Sequence, residues 1–119
     1  MKRDMDLIRR IAIATADLAP GQPLQQLPDL DAATWLFHVE LMEEAGLVKA
    51  TVSRYLDAND EAVVWRLTWA GSDFVDATRD DALWRKVVNK VLNTSASFTF
   101  DLLKEALKSE ISKGLSSLL

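Results

Sequence analysis

The sequence predicts an α+β fold that is mainly helical and carries one small β-hairpin. Residues 31–46 have the apolar spacing of an amphipathic helix and end at a glycine. Two runs of alternating apolar residues follow, separated by the polar stretch at 57–61. Helical spacing then continues towards the C-terminus, interrupted by polar residues 93–96. With 119 residues, of which 49% are hydrophobic, the chain is long enough to bury a core in one domain.

Two helices are predicted before the hairpin. The first covers residues 4–18, where apolar side chains recur at helical spacing at Met5, Ile8, Ile11, Thr15 and Leu18. It ends at Pro20-Gly21, and the proline-rich stretch that follows is predicted to be a loop with at most a short edge strand. The second helix begins at Asp31, whose carboxylate is expected to accept hydrogen bonds from the first free amides. It ends at Gly46, in the left-handed position that favours glycine.

The hairpin is predicted from two alternating patterns. Val48, Ala50 and Val52 form the first, and Val63, Trp65 and Leu67 form the second. Each set is expected to face the core, with the polar stretch between them as the turn. The four tryptophans are expected to lie inside the packed domain, at Trp35, Trp65, Trp69 and Trp84.

After Gly71 the helical spacing runs to residue 92, either as one helix or with a break at Asp80-Asp81. Ser97 is placed to cap a last helix, so the chain divides into a domain over residues 1–96 and an amphipathic helix over residues 97–119. That helix carries an apolar stripe: Phe100, Leu103, Leu107, Ile111 and Leu118. The stripe either packs back on the domain or forms a dimer seam. Its balanced charges argue against a membrane-surface helix.

Acidic residues are concentrated in the middle of the chain. The formal net charge is −4, and residues 29–81 hold twelve acidic residues against four basic ones, while both flanks are net positive. A field of this sign repels phosphate. Six of these carboxylates are predicted to form an acidic contact surface: Glu40, Glu43, Glu44, Asp57, Asp60 and Glu61.

The order of helix, strand, polar tip, strand and Leu-Thr-x-x-Gly entry into another helix is the layout of a winged helix-turn-helix. In that layout the helix over 31–46 would enter the major groove, yet it carries three glutamates and no Lys or Arg. We therefore expect a protein partner. Nucleic acid is the alternative partner, contacted through Arg54, Arg85, Lys86 and Lys90.

The side chains that nucleophilic catalysis requires are missing. There is no Cys and a single His, so no Ser–His–acid or Cys–His arrangement with a second base is available. His38 is expected to be a packed residue bonded to a nearby carbonyl. Asp73, Asp76 and Asp80 are expected to be solvated or paired rather than to hold a metal. We expect no enzyme, cofactor or metal, and a cytoplasmic protein, because the lack of cysteine suits a reducing compartment and no apolar run approaches a membrane span.

Four segments carry a resemblance to a known family: MKRDMDLIRR, FHVELMEEAGLV, RLTWAGSDFVDATRDDALW and SFTFDLLKEAL. They resemble the proteins of bacteria and phages grouped as domain of unknown function 2513, and the match runs from Met1 to about Leu107. The resemblance implies a winged-helix-like fold, a cytoplasmic setting and frequent phage or prophage origin. It supplies no catalytic residues.

Together these observations predict a non-enzymatic interaction module of phage, prophage or bacterial origin that binds a protein through its acidic face. Such a module would act as a regulator or inhibitor of host machinery. The alternative is a dimeric DNA-binding winged-helix transcription regulator.

Overall fold

The computed structural model describes residues 1–55, 60–94 and 99–118. In chain order the elements are helix α1 (Met5–Ala16), helix α2 (Ala32–Glu44), strand β1 (Val48–Ser53), strand β2 (Glu61–Leu67), helix α3 (Trp69–Thr78), helix α4 (Asp81–Thr94) and helix α5 (Phe100–Leu118). The predicted α+β class, mainly helical with one antiparallel hairpin, is confirmed. The contacts divide the chain into two compact units, Met1–Val75 and Asp76–Leu119. Nowhere in the described ranges is there a helix with the length and apolar character needed to cross a membrane.

Helix α1 is fixed to helix α2 through His38. Asp4 caps α1, its carboxylate accepting a hydrogen bond from the amide of Leu7 at 3.2 Å. The backbone amide of Asp4 in turn donates to Nε2 of the buried His38 at 3.0 Å. The Nδ1 atom of His38 lies 2.8 Å from the carbonyl oxygen of Thr34, to which it donates. His38 is therefore the packed, carbonyl-bonded residue that the sequence predicts.

Helix α2 begins after the predicted N-cap residue but lacks the predicted capping hydrogen bond. Asp31 occupies the N-cap position with extended backbone, yet its side chain makes no capping hydrogen bond, so the expected role of its carboxylate is wrong. The buried face of the helix carries Trp35, Val39 and Met42. Trp35 donates its indole Nε1–H to the carbonyl oxygen of Ala62 at 2.9 Å, which joins α2 to β2.

The hairpin contains a β-bulge that the alternating pattern did not predict. Lys49 pairs with Arg66 and Ala50 pairs with Val64, so Trp65 is an extra residue on β2. One extra residue reverses the faces of the strand beyond it. Ala62 and Val64 are consequently buried, whereas Trp65 points outward. The predicted inward position is therefore wrong for Trp65 and for Val63, which pairs with the exposed Thr51. Leu67 pairs with the buried Val48 and is half-buried, which agrees with the prediction.

The proline-rich loop pairs with β2 at one position. Leu24 forms an isolated antiparallel bridge with Val64, exchanging two backbone hydrogen bonds of 2.8 and 2.9 Å. This bridge covers the second edge of β2 and matches the short edge strand allowed by the sequence.

Hydrogen bonds join the turn between α2 and β1 to the start of α3. Gly46 has φ of +77°, and the amides of Gly46 and Leu47 donate to the carbonyls of Glu43 and Met42, which closes the helix in a Schellman motif. Thr68 donates its backbone amide to the carbonyl of Leu47 at 3.0 Å and its hydroxyl to the carbonyl of Gly46. The same hydroxyl accepts the amide of Gly71 at 3.0 Å and so caps α3.

Gly71 is required by this close approach. A β-carbon at that position would lie 1.9 Å from the carbonyl oxygen of Leu47. The Leu-Thr-x-x-Gly motif therefore clamps the start of α3 onto the end of α2.

The second unit contains helices α4 and α5, packed against each other. The predicted break between α3 and α4 is present, and Asp80 caps α4 by accepting the amide of Leu83 at 2.8 Å. Thr99 caps α5 by accepting the amide of Leu102 at 3.2 Å, while Ser97 lies outside the described residues. The apolar side chains buried in this unit are Trp84, Val87, Val91, Leu103, Ala106 and Leu107.

The tryptophans separate into two buried and two exposed residues. Trp35 and Trp84 are buried as predicted. Trp65 is 52% exposed and Trp69 is 85% exposed, so their predicted place in the core is wrong. The bulge turns Trp65 outward, and Trp69 is the first residue of α3, where its side chain projects into solvent.

Candidate functional site

The predicted acidic residues of α2 and of the hairpin meet around one arginine. Arg54, just beyond the end of β1, donates Nη2 to Oε1 of Glu40 on α2. Its Nη1 lies 3.0 Å from Oδ2 of Asp60, just before β2. Asp60 also accepts the backbone amide of Tyr55 at 3.1 Å through Oδ1. The arginine thus fixes the position of two of the predicted carboxylates.

Two further carboxylates extend this cluster along α2. Glu40, Glu43 and Glu44 lie outside the buried face of α2, and with Val52 and Arg54 they line an open depression of ≈ 610 Å³. Glu43 and Glu44 are exposed and form no ion pair with any described residue. They are therefore available to a cationic partner.

The acidic set continues onto the first residue of β2. Glu61 is exposed, and with Asp60 it borders a second cavity of ≈ 770 Å³, whose lining also includes Gln25, Gln26 and Trp35. Asp57 lies outside the described residues. We use the name acidic surface for the five described carboxylates: Glu40, Glu43, Glu44, Asp60 and Glu61.

The residues predicted as possible nucleic-acid contacts do not form one free cationic surface. Arg54 is held by Glu40 and Asp60. In the second unit, Lys86 lies 3.0 Å from Oε2 of Glu110 and Lys90 lies 3.4 Å from its Oε1. Arg85 is exposed on α4. Three of the four predicted cations are therefore already paired within the chain.

Three lysines surround Glu110 in the second unit, and the sequence patterns did not predict this cluster. It is buried, and Lys86, Lys90 and Lys113 all approach its carboxylate. The hydrogen bond from Lys86 is the main cause that lowers the pKa of Glu110 from 4.5 to about 2, with Lys113 acting in the same direction and burial opposing it. The sequence does contain a signal for this cluster, namely a glutamate among the buried positions of an amphipathic helix. A buried carboxylate is stable only when cations pair with it.

The apolar stripe of α5 is divided between buried and exposed residues. Leu103 and Leu107 are buried within the second unit, where α5 packs on α4. Ile111 is exposed and Phe100 is half-buried. The side chain of Leu118 lies outside the described part of the chain. In this arrangement the two leucines at the centre of the stripe are not available to a second copy.

The aspartates considered as a metal face lie in ordinary environments. Asp73 and Asp76 are exposed on α3, and Asp80 caps α4. Among the described residues, no three His, Asp or Glu side chains are grouped closely enough to hold a metal ion.

Fold and site together define a small α+β protein whose hairpin and second helix present carboxylates around a central arginine. The chain belongs to the DUF2513 family of hypothetical proteins, whose family model matches residues 2–97. This confirms the family that the sequence segments predict. The chain is similar to an uncharacterized protein of Haemophilus influenzae, with 30% identity over 121 residues that cover 98% of this chain and 100% of the relative. No solved structure matches the chain, and the winged-helix relationship stays a prediction.

Proposed function

We propose that this chain is a non-enzymatic binding module that contacts a basic protein partner through its acidic surface. The observation that carries the proposal is the exposed pair Glu43 and Glu44 beside the Glu40–Arg54–Asp60 network. The glutamates come from α2, and Arg54 and Asp60 adjoin the ends of β1 and β2, so regular secondary structure positions these residues.

The cost of assembling these charges supports a role in binding. Five carboxylates share a surface with one guanidinium, and like charges held close together repel each other. A surface made only for solubility would intersperse the two signs. The same field accelerates the approach of a basic partner and disfavours acidic ones.

The position of Arg54 gives the acidic surface a defined geometry. Because its two nitrogens bind Glu40 and Asp60, the guanidinium holds the hairpin beside α2. Glu43 and Glu44 are left for intermolecular contacts. A phosphate backbone placed here would meet unpaired carboxylates, which is why a basic protein is the better fit than DNA.

The family setting supports a regulatory context for this binding. The resemblance to proteins of bacteria and phages, with a relative in Haemophilus influenzae, fits a regulator or inhibitor of host machinery acting in the cytoplasm. An inhibitor whose acidic surface imitates the charge of DNA would occupy the basic groove of a nucleic-acid-binding protein.

A capture experiment with a charge-matched control tests the proposal. Wild-type protein, a Glu43→Lys/Glu44→Lys variant and an Asp101→Lys/Glu105→Lys variant are immobilised and exposed to a bacterial lysate, and the retained proteins are identified and then purified. All four residues are exposed, and both double variants change the net charge by the same amount. Lysine near the C-terminus of α2 is also favourable to the helix dipole, so the fold should be retained.

A partner retained by wild type and by the α5 variant, but bound roughly 10- to 100-fold more weakly by the α2 variant, is the expected result. Its binding should weaken as salt is raised. A purified partner that binds both double variants equally would contradict the proposed surface, as would the absence of any retained protein.

A further inference from the structure

We propose that the outer face of the hairpin binds single-stranded nucleic acid. This face consists of Lys49, Thr51, Trp65 and Arg66 on the hairpin, and the proposal adds to it the exposed Trp69, which begins α3 directly after β2. We call it the aromatic cationic face. Of the acidic surface, only Glu61 lies on this face among the described residues, at its far end. Binding here goes beyond the proposed protein-binding function.

Two tryptophans on this face are left in water although the chain buries two others. Trp65 is 52% exposed and Trp69 is 85% exposed, and they are four residues apart along the chain. Burying a large aromatic side chain stabilises a small domain, so leaving two indoles exposed forgoes that contribution. Large aromatic side chains left exposed within four residues of each other indicate a contact surface.

The ring of Trp65 is fixed in a way that suits stacking. Its indole Nε1–H donates to the hydroxyl oxygen of Thr51 at 2.9 Å, across the hairpin. The bulge at Trp65 turns its side chain towards the outer face of the hairpin. With its only polar hydrogen already bonded, the side chain has its π face left to offer to a ligand.

The charges of this face point to an anionic ligand. Lys49 and Arg66 are direct cross-strand partners in the register, and two like charges in that position destabilise a hairpin. The guanidinium of Arg66 donates to the carbonyl of Leu67 at 3.0 Å, and neither cation forms an ion pair with any described residue. Among the described residues of the hairpin's outer face, Glu61 is the one that carries a carboxylate. It pairs with Ser53, at the end of the hairpin away from Lys49 and Arg66.

A ligand that satisfies both features must combine planar rings with negative charge. Single-stranded nucleic acid does so, because each base has a free π face and each nucleotide carries a phosphate. A duplex keeps its bases stacked inside, and an acidic peptide brings carboxylates without planar rings to stack on two indoles. The acidic surface on α2 repels phosphates and so restricts the strand to the outer face of the hairpin.

Fluorescence anisotropy with a labelled twelve-residue oligothymidylate, at low salt, tests this proposal. Two phosphate contacts, at Lys49 and Arg66, predict that log K falls against log salt with a slope of about −1.4. Intrinsic tryptophan fluorescence should be quenched on binding, and a duplex of the same length should bind more weakly.

Three variants locate the binding to this face. Trp69→Ala should weaken binding roughly tenfold, as expected for the loss of one stacked base, and its high exposure means that the fold is kept. Lys49→Gln should reduce the salt slope by about 0.7. Arg85→Gln, which removes an exposed cation from α4, is the matched control and should leave binding unchanged.

Several results would overturn the proposal. These are oligonucleotide binding that does not respond to salt, equal affinity for the duplex, or unchanged affinity in Trp69→Ala. Loss of binding in Arg85→Gln with retention in Lys49→Gln would place the contact on α4 instead. Displacement of the oligonucleotide by polyglutamate at equal charge would assign the face to an acidic protein.

Discussion

Replacing Gly71 by alanine would place a methyl carbon where the start of α3 meets the end of α2. That carbon would lie 1.9 Å from the carbonyl oxygen of Leu47 and 3.2 Å from Cδ2 of Leu67. The oxygen belongs to the backbone and already accepts the amide of Thr68 at 3.0 Å. The chain must therefore shift by about 1 Å or more to reach an ordinary carbon–oxygen separation of roughly 3.3 Å.

The size of the effect follows from three contributions. Overpacking costs about 1–3 kcal/mol, and weakening the bond between Thr68 and Leu47 costs about 1 kcal/mol. Alanine in a helix offsets this by about 1 kcal/mol relative to glycine. We expect Gly71→Ala to lower the free energy of unfolding by about 1–3 kcal/mol, measured by urea denaturation followed by circular dichroism.

Two other glycines provide controls for this reasoning. Gly114 lies within α5 and an added β-carbon there meets nothing within 4 Å, so Gly114→Ala should stabilise by about 0.5–1 kcal/mol. Gly46 has equally open space but φ of +77°, so Gly46→Ala should cost about 1 kcal/mol. A Gly71→Ala protein within about 0.5 kcal/mol of wild type would refute the close-approach argument.

Three further predictions concern single side chains. The pKa of Glu110, about 2 against an ordinary 4.5, lies below its unfolded value, so its contribution to stability is complete above pH 4.5 and is lost as the pH falls towards 2. The unfolding temperature, measured at a series of pH values, should fall less steeply with decreasing pH in Glu110→Gln than in wild type. Trp35→Phe removes the indole bond to the Ala62 carbonyl and should cost about 1–3 kcal/mol in urea denaturation. Asp80→Ala removes the α4 cap and should cost about 1 kcal/mol by the same measurement.

Each of these predictions has a control or a contradicting result. Glu105→Gln removes an exposed glutamate from the same helix as Glu110, and an equal flattening there would reject Glu110 as the cause. Trp35→Phe at wild-type stability would show that the indole bond contributes nothing. Asp31→Ala is the comparison for Asp80→Ala, because Asp31 makes no capping bond and its loss should cost less.

Local patterns in the sequence were sufficient to predict the order of the elements and several of their ends. Helical and alternating patterns predicted the helices and the hairpin, because burial of one face imposes those periods on the chain. Gly46 and the Leu-Thr-x-x-Gly motif marked real boundaries, since their geometry is local. The acidic character of α2 was also readable, because charge belongs to residues before they fold.

Contacts between elements fix which side chains meet and which face each strand turns towards the core. The bulge at Trp65 depends on pairing with β1, so an alternating pattern within β2 alone placed the wrong residues inside. Arg54 was predicted as a cation for phosphate, but the fold sets it between Glu40 and Asp60. The cations around Glu110 come from two helices, and their convergence requires α4 and α5 to pack. Such long-range contacts are fixed by packing, which no local pattern in the sequence records.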